Sequence, residues 1–165
     1  MPEQGELVSL AADLLRVLKQ RRGRLAVAES CTGGLVGHLL TEVPGSSAVF
    51  VGGAITYDTQ LKQQIGVDEA LLEKEGAVSS AVAEAMAVAI RKQTGASLGV
   101  AVTGIAGPGG GSEAKPVGLT YVAVADDHGV VSEGHIWRAD RSTNKQLSAQ
   151  AALRLALKRV RETSV

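Results

Sequence analysis

Ser47, Tyr57 and Lys62 fall within one turn-strand-turn segment and carry the groups that serine hydrolysis without histidine requires. A serine hydroxyl attacks an acyl carbon only when another group takes its proton. The three histidines, His38, His128 and His135, are scattered over a predicted helix, turn and strand, which leaves no credible imidazole base. A lysine amine can take that role if burial or a nearby cation lowers its pKa, and a tyrosine can pass the proton between the two. Ser47 stands at the start of the segment, with Tyr57 and Lys62 at its end. Spacing alone also allows a plain turn serine, a strand-end tyrosine and an exposed lysine. Ser30 is the rival nucleophile, because it too sits at a strand-to-helix turn beside Thr32 and Gly33. Of the two serines, Ser47 is preferred.

Three glycine-bearing turns stand where strands are expected to end: residues 30–34, residues 44–47, and residues 103–118, which read TGIAGPGGGSEAKPVG. In open α/β sheets ligands collect at strand carboxyl ends. Ser30, Thr32, Gly33 and Gly34 open a helix, so their hydroxyls and N–H groups could hold a phosphate or carboxylate; the plainer alternative is a capped helix. The third turn is conformationally expensive. Glycine loses the most backbone freedom on folding, so Gly104, Gly107, Gly109, Gly110 and Gly111 together suggest a backbone shaped around a ligand. No P-loop spacing occurs, and the glycines do not fit the dinucleotide fingerprint. The lone Cys31 has no disulfide partner and no metal-ligand neighbour at useful spacing. No metal and no cofactor is called for.

The elements that must position these residues follow from periodicity. Apolar residues at helical spacing predict a helix over 5–20, ended by Gly23. Residues 25–29 read as a short strand, then a tight turn and a helix up to Pro44. Residues 48–57 read as a strand whose Gly52-Gly53 pair signals a bulge or a close backbone approach. Helices are expected over 59–65, after Asp68, and after Ser79 or Ser80 to Gly95. Strands at 98–102 and 119–125 flank the glycine loop. Asp126-Asp127-His128-Gly129 predicts a hairpin into a last strand, and a long helix should start at Ser142 or Thr143. The alternation predicts an α/β fold, a three-layer α/β/α sandwich with a mixed, mostly parallel sheet, in a single domain over residues 1–165.

Composition narrows the class. Apolar residues make up 45% of the chain but aromatics only 2%, so the core must be built from small and aliphatic side chains. Formal net charge is zero, which gives no global electrostatic pull toward nucleic acid. No amino-terminal apolar run suggests a signal peptide or a membrane span, so a cytoplasmic location is expected, with no membrane partner.

Taken together, AESCTGG at 28–34, PGSSAVFVGGAITY at 44–57, Lys62 with Gly66-Val67, GAVS at 76–79 and VTGIAGPGGGSEAKPVG at 102–118 resemble the carboxy-terminal domain of the competence and damage-inducible CinA family. The resemblance spans nearly the whole chain. It implies a stand-alone nicotinamide-nucleotide amidase, which hydrolyses nicotinamide mononucleotide to nicotinic acid mononucleotide and ammonia in pyridine-nucleotide recycling. It also implies that Ser47, Tyr57 and Lys62 are catalytic, with Thr103 and Arg141 as further site residues. Substrate contacts are then expected from Ser30, Thr32, Gly33, Gly34, Thr103, Gly104 and Arg141, the arginine suiting a phosphate. A non-catalytic nucleotide- or protein-binding module in competence or damage response is the alternative. Homo-oligomerisation is left open.

Overall fold

The computed structural model describes residues 1–163. Helix α1 (Gln4–Gln20) buries Leu7, Ala11, Leu14, Leu15 and Leu18 along one stripe. Strand β1 (Leu25–Glu29) follows and is buried at every position. Helix α2 (Leu35–Thr41) and a 3-10 turn (Ser46–Ala48) lead to β2 (Phe50–Ile55). Helices α3 (Thr59–Ile65), α4 (Glu69–Glu75) and α5 (Ser80–Thr94) then return the chain to β3 (Leu98–Gly104). Strands β4 (Leu119–Asp126) and β5 (Gly129–Ile136) form the hairpin, and α6 (Arg141–Glu162) closes the fold.

The sheet order is β2-β1-β3-β4-β5. β1 pairs in parallel with both β2 and β3, whereas β4 pairs antiparallel with β3 and β5. Four strands therefore point one way and β4 alone runs against them. The register shifts between Leu25 and Ala26, whose partners are Phe50 and Gly52, so the bulge expected near Gly52-Gly53 falls at Val51.

Alternation sorts the strand side chains onto two unlike faces. Leu25, Val27, Leu98, Val100, Val102, Val122 and Val124 pack against α1, α2 and α6. Ala26, Ala28, Ala101, Ala123 and Ala125 pack against the layer dominated by α5. Small side chains on that second face let helix and sheet approach closely. A Cβ built on Gly99 would stand 2.2 Å from the Ala87 carbonyl oxygen, so any side chain there would push α5 off the sheet.

Helix starts differ from expectation at one place. Asp140, not Ser142 or Thr143, caps α6, its carboxylate accepting from the Thr143 N–H at 2.8 Å. Ser79 caps α5 through the Val82 N–H, as its position predicts. Among the described residues no helix is long and apolar enough to cross a membrane.

Candidate active site

The chain leaves β1 toward β2 on one side and leaves β3 toward β4 on the other. This opens a crevice between the carboxyl ends of β1 and β3, where ligands bind in open α/β sheets. Ser30 and Cys31 line it from the β1 side, Thr103 and Gly104 from the β3 side. Tyr57, Lys62, Ala77, Val78, Arg141 and the start of the glycine loop complete a cavity of about 260 Å³.

Lys62 is 1% exposed although it belongs to the short helix α3. Asp58 caps that helix, its carboxylate accepting from the Gln60 N–H at 2.7 Å. The Lys62 Nζ lies 3.1 Å from Ser30 Oγ, 2.6 Å from the Thr56 carbonyl oxygen and 3.4 Å from that of Tyr57. Burial lowers the lysine pKa from its ordinary value. A neutral amine has two N–H donors and one lone pair, and this set of neighbours matches it: two carbonyls that accept and one hydroxyl that can donate.

Ser47 is elsewhere. It is exposed, on the 3-10 turn that precedes β2, whereas Tyr57 and Lys62 follow the far end of that strand. Six extended residues span ~20 Å, so a serine before β2 and a lysine after it face opposite edges of the sheet. The expected Ser47–Lys62 pairing is corrected to Ser30–Lys62. β1 lies beside β2 and runs parallel to it, so it brings Ser30 to the edge that β2 brings Lys62.

Tyr57 does not stand between the serine and the lysine either. Its backbone carbonyl accepts from Lys62, while its phenol oxygen accepts from the Arg141 guanidinium at 3.2 Å. The side chain is 59% exposed at the mouth of the cavity and is paired with Arg141, not with Ser30 or Lys62 as a proton relay between them would require. Arg141 also donates to the Gly107 carbonyl at 2.7 Å and Asn144 Nδ2 to the Ala106 carbonyl at 3.0 Å, fixing the glycine loop on α6.

Glu29, the last residue of β1, went unnoticed in the sequence as a site residue, yet it organises the turn that carries Ser30. It is 1% exposed, and its carboxylate accepts from Thr32 Oγ1 at 2.5 Å and from the N–H groups of Gly34, Val36 and Gly37 at 3.1, 3.1 and 2.8 Å. Thr32 and Gly34 are thereby committed inward and do not line the crevice, against the expected substrate contact. Gly33 is exposed on the outer side of the turn. The available signal was a lone acid ending an apolar run directly before a helix-opening turn.

Within residues 30–37 the remaining backbone donors can be traced. Ser30 N–H donates to the Val102 carbonyl, Gly33 to Ser30 and Leu35 to Thr32. Among the described residues, the Cys31 and Thr32 N–H groups have no backbone acceptor. The Cys31 thiol is pushed up to about 12, chiefly by burial, which keeps it neutral and unreactive at neutral pH.

On the β3 side, Thr103 is fully buried and donates to the Ala77 carbonyl at 2.7 Å, bracing the 76–79 segment that forms the opposite wall. Gly104 lets that wall close on the turn at 30–34. A Cβ there would stand 2.7 Å from Thr120 Oγ1 and 3.0 Å from Cys31 Sγ. The glycine loop is pinched at its base by Ile105 with Leu119 and Gly118 with Ile105, and Lys115 latches it to the Glu75 carbonyl at 2.5 Å.

Fold and crevice together define an α/β/α domain with a buried lysine set against a serine at the switch point of its sheet. The chain belongs to the CinA C-terminal domain family, which it matches over residues 7–160. It is 58% identical over 122 residues to a CinA-like protein of a Synechococcus species, an alignment covering 73% of this chain and 29% of that protein. A CinA-like protein of Acidobacterium capsulatum is 48% identical over 158 residues, covering 95% of this chain and 38% of that one. The chain thus spans about a third of the length of these curated relatives. Among solved structures, the competence/damage inducible protein CihA of Agrobacterium tumefaciens superposes with a TM-score of 0.90 at 37% identity, covering 96% of this chain and 98% of that one. The competence damage-inducible protein A of Klebsiella pneumoniae superposes with a TM-score of 0.92 at 28% identity, covering 96% and 99%.

Proposed function

We propose that this domain hydrolyses the carboxamide of nicotinamide mononucleotide, releasing ammonia and nicotinic acid mononucleotide, with Ser30 as nucleophile and Lys62 as base. The observation that carries the reading is the buried Lys62 amine 3.1 Å from the Ser30 hydroxyl, in a crevice at the strand carboxyl ends. The choice of substrate rests on the segment-by-segment resemblance to the CinA carboxy-terminal domain.

In the proposed reaction Lys62, neutral and with both N–H groups turned to the Thr56 and Tyr57 carbonyls, accepts the Ser30 proton as Oγ bonds to the carboxamide carbon. The N–H group of Cys31, which lines the crevice and among the described residues has no backbone acceptor, is the donor at hand for the resulting oxyanion. The carbon–nitrogen bond then breaks, and Lys62 returns its proton to the departing nitrogen, which leaves as ammonia. Water attacks the nicotinoyl ester, giving its proton to Lys62, and Ser30 Oγ leaves and takes that proton back. Atoms and charge balance without an oxidant, reductant or metal. Glu29 holds the turn that presents Ser30, and Thr103, Gly104 and Cys31 wall the crevice in which the carboxamide would sit.

Acid quench during steady turnover, followed by peptide mapping, tests the reading directly. The expected result is ammonia release from nicotinamide mononucleotide and a nicotinoyl ester on the peptide containing Ser30. Absence of ammonia overturns the activity. An ester on a different residue overturns the assignment of Ser30 while leaving the activity standing.

A further inference from the structure

We infer that Lys145, with Arg141 one helical turn before it, forms a phosphate-monoester subsite on α6 that selects a mononucleotide over its nucleoside. The substrate named here rests on the amide-hydrolysis reading; the anion shelf itself does not.

A second cavity of about 400 Å³, lined by Leu35, Arg141, Ser142, Lys145 and Gln146, adjoins the crevice. Arg141 lines both, which places the shelf beside the crevice that holds the Ser30–Lys62 pair. Lys145 is half-buried and leans over the nucleophile turn, its Nζ 3.8 Å from where a Cβ on Gly33 would stand. Glycine at 33 therefore leaves open the space between the lysine and the turn.

The charges here lack internal compensation. Among the described residues, no carboxylate comes within 4.0 Å of Lys145 or Arg141. The polar partners of Arg141 are neutral, the Gly107 carbonyl and the Tyr57 phenol; they fix the guanidinium in place and use two of its five donors. Two cations four residues apart on a helix repel each other, and an anion between them removes that cost. The neighbouring Asp140 does not supply it, because its carboxylate is turned to the Thr143 N–H as the α6 cap.

The other seat for a phosphate, the start of α2, is already filled. Glu29 takes the N–H groups of Gly34, Val36 and Gly37, so an incoming dianion would meet a buried carboxylate there. A phosphate is thereby directed outward to Arg141 and Lys145, a fixed fork beside a mobile point charge.

The test compares nicotinamide mononucleotide with nicotinamide riboside, which lacks the phosphate, in the intact chain and in Lys145→Met and Lys145→Arg, alongside calorimetric titration with inorganic phosphate. For the mononucleotide, Lys145→Met should raise KM by ~10-fold or more with kcat within about twofold, leave kcat/KM for the riboside unchanged, and weaken phosphate binding ~10-fold. Lys145→Arg should recover most of the loss. An equal effect on both substrates, or an unchanged mononucleotide KM, overturns the subsite. If the unaltered protein hydrolyses neither compound, the amide reading fails and the titration alone decides the subsite. Phosphate that fails to bind, or that binds Lys145→Met as tightly, then overturns it.

Discussion

The turn at 30–34 follows the carboxyl end of β1, and the turn at 44–48 precedes the amino end of β2, so two serine-bearing turns joined by α2 face opposite edges of the sheet. At the first edge Ser30 meets a buried lysine, a glycine loop braced by α6 and a carboxylate that holds the turn after it. At the second, Ser47 is exposed beside a groove lined by Ala12, Leu15, Lys19, Val43, Pro44 and Val49, and the lysine there is itself exposed, unlike the buried Lys62. Reactivity comes from what surrounds a hydroxyl, and in a parallel sheet that is fixed by which end of a strand a turn occupies.

The sharpest way to break this contrast is to remove each hydroxyl in turn. Ser30→Ala should lower kcat for ammonia release from nicotinamide mononucleotide by ~10³-fold or more, because a lost nucleophile leaves only binding and oxyanion stabilisation. Ser47→Ala should stay within about twofold. Loss of turnover in Ser47→Ala with activity retained in Ser30→Ala would reverse the assignment of the two edges.

Lys62→Met should be nearly as severe, and its pH behaviour distinguishes a base from a packing residue. Burial lowers the Lys62 pKa, so kcat/KM should rise with pH through one ionisation below the ordinary lysine value of 10.5. Stability carries the same signature with a definite sign. Between the lowered folded value and 10.5 the unfolded chain binds more protons than the folded one, so folding stability rises with pH across that window. Denaturant unfolding at stepped pH should show this rise in the unaltered protein and lose it in Lys62→Met. A slope shared by both proteins would assign the effect to other groups.

Much of the scaffold was legible in advance because hydrophobic periodicity and glycine stops are local signals. β1 and α3 fall at their predicted residues, and Ser79 caps α5 as its place before an alanine-rich helix implies. The chemical types were legible too, since without a histidine base a serine must find a lysine. What one dimension concealed was direction. Ser47 and Lys62 are separated by fifteen residues and a whole strand, whereas Ser30 and Lys62 are thirty-two residues apart and 3.1 Å distant. Only the parallel pairing of β1 with β2, a long-range contact, brings the second pair together. Glu29 escaped notice for a related reason: its partners are mostly backbone N–H groups, which any sequence would supply.

Glu29→Gln sharpens the comparison by loosening the active turn without touching its hydroxyl. The carboxylate accepts from three N–H groups and a threonine hydroxyl, and an amide offers one oxygen and two unwanted donors to the same four partners. At least one buried donor is left unpaired, at a cost of about 1–3 kcal/mol in denaturant unfolding. The displaced turn should lower kcat ~10-fold with KM little changed, since the crevice walls remain. A stability loss with full kcat would make Glu29 a support of α2 alone.

Of the changes at the first edge, Tyr57→Phe should have the smallest effect, and its size separates a gatepost from a relay. The phenol accepts from Arg141 and makes no contact with Lys62, whose tyrosine partner is the backbone carbonyl that phenylalanine retains. Removing the hydroxyl frees one Arg141 donor in a solvent-exposed place, where a single hydrogen bond contributes about 0.5–1.5 kcal/mol. A rise in KM of several-fold with kcat nearly constant is expected, because Arg141 loses one of its two anchors while the Gly107 carbonyl still holds the other. A kcat loss as deep as that of Lys62→Met would instead place the phenol in the proton path, and would require Tyr57 to swing off Arg141 toward Ser30 during the reaction.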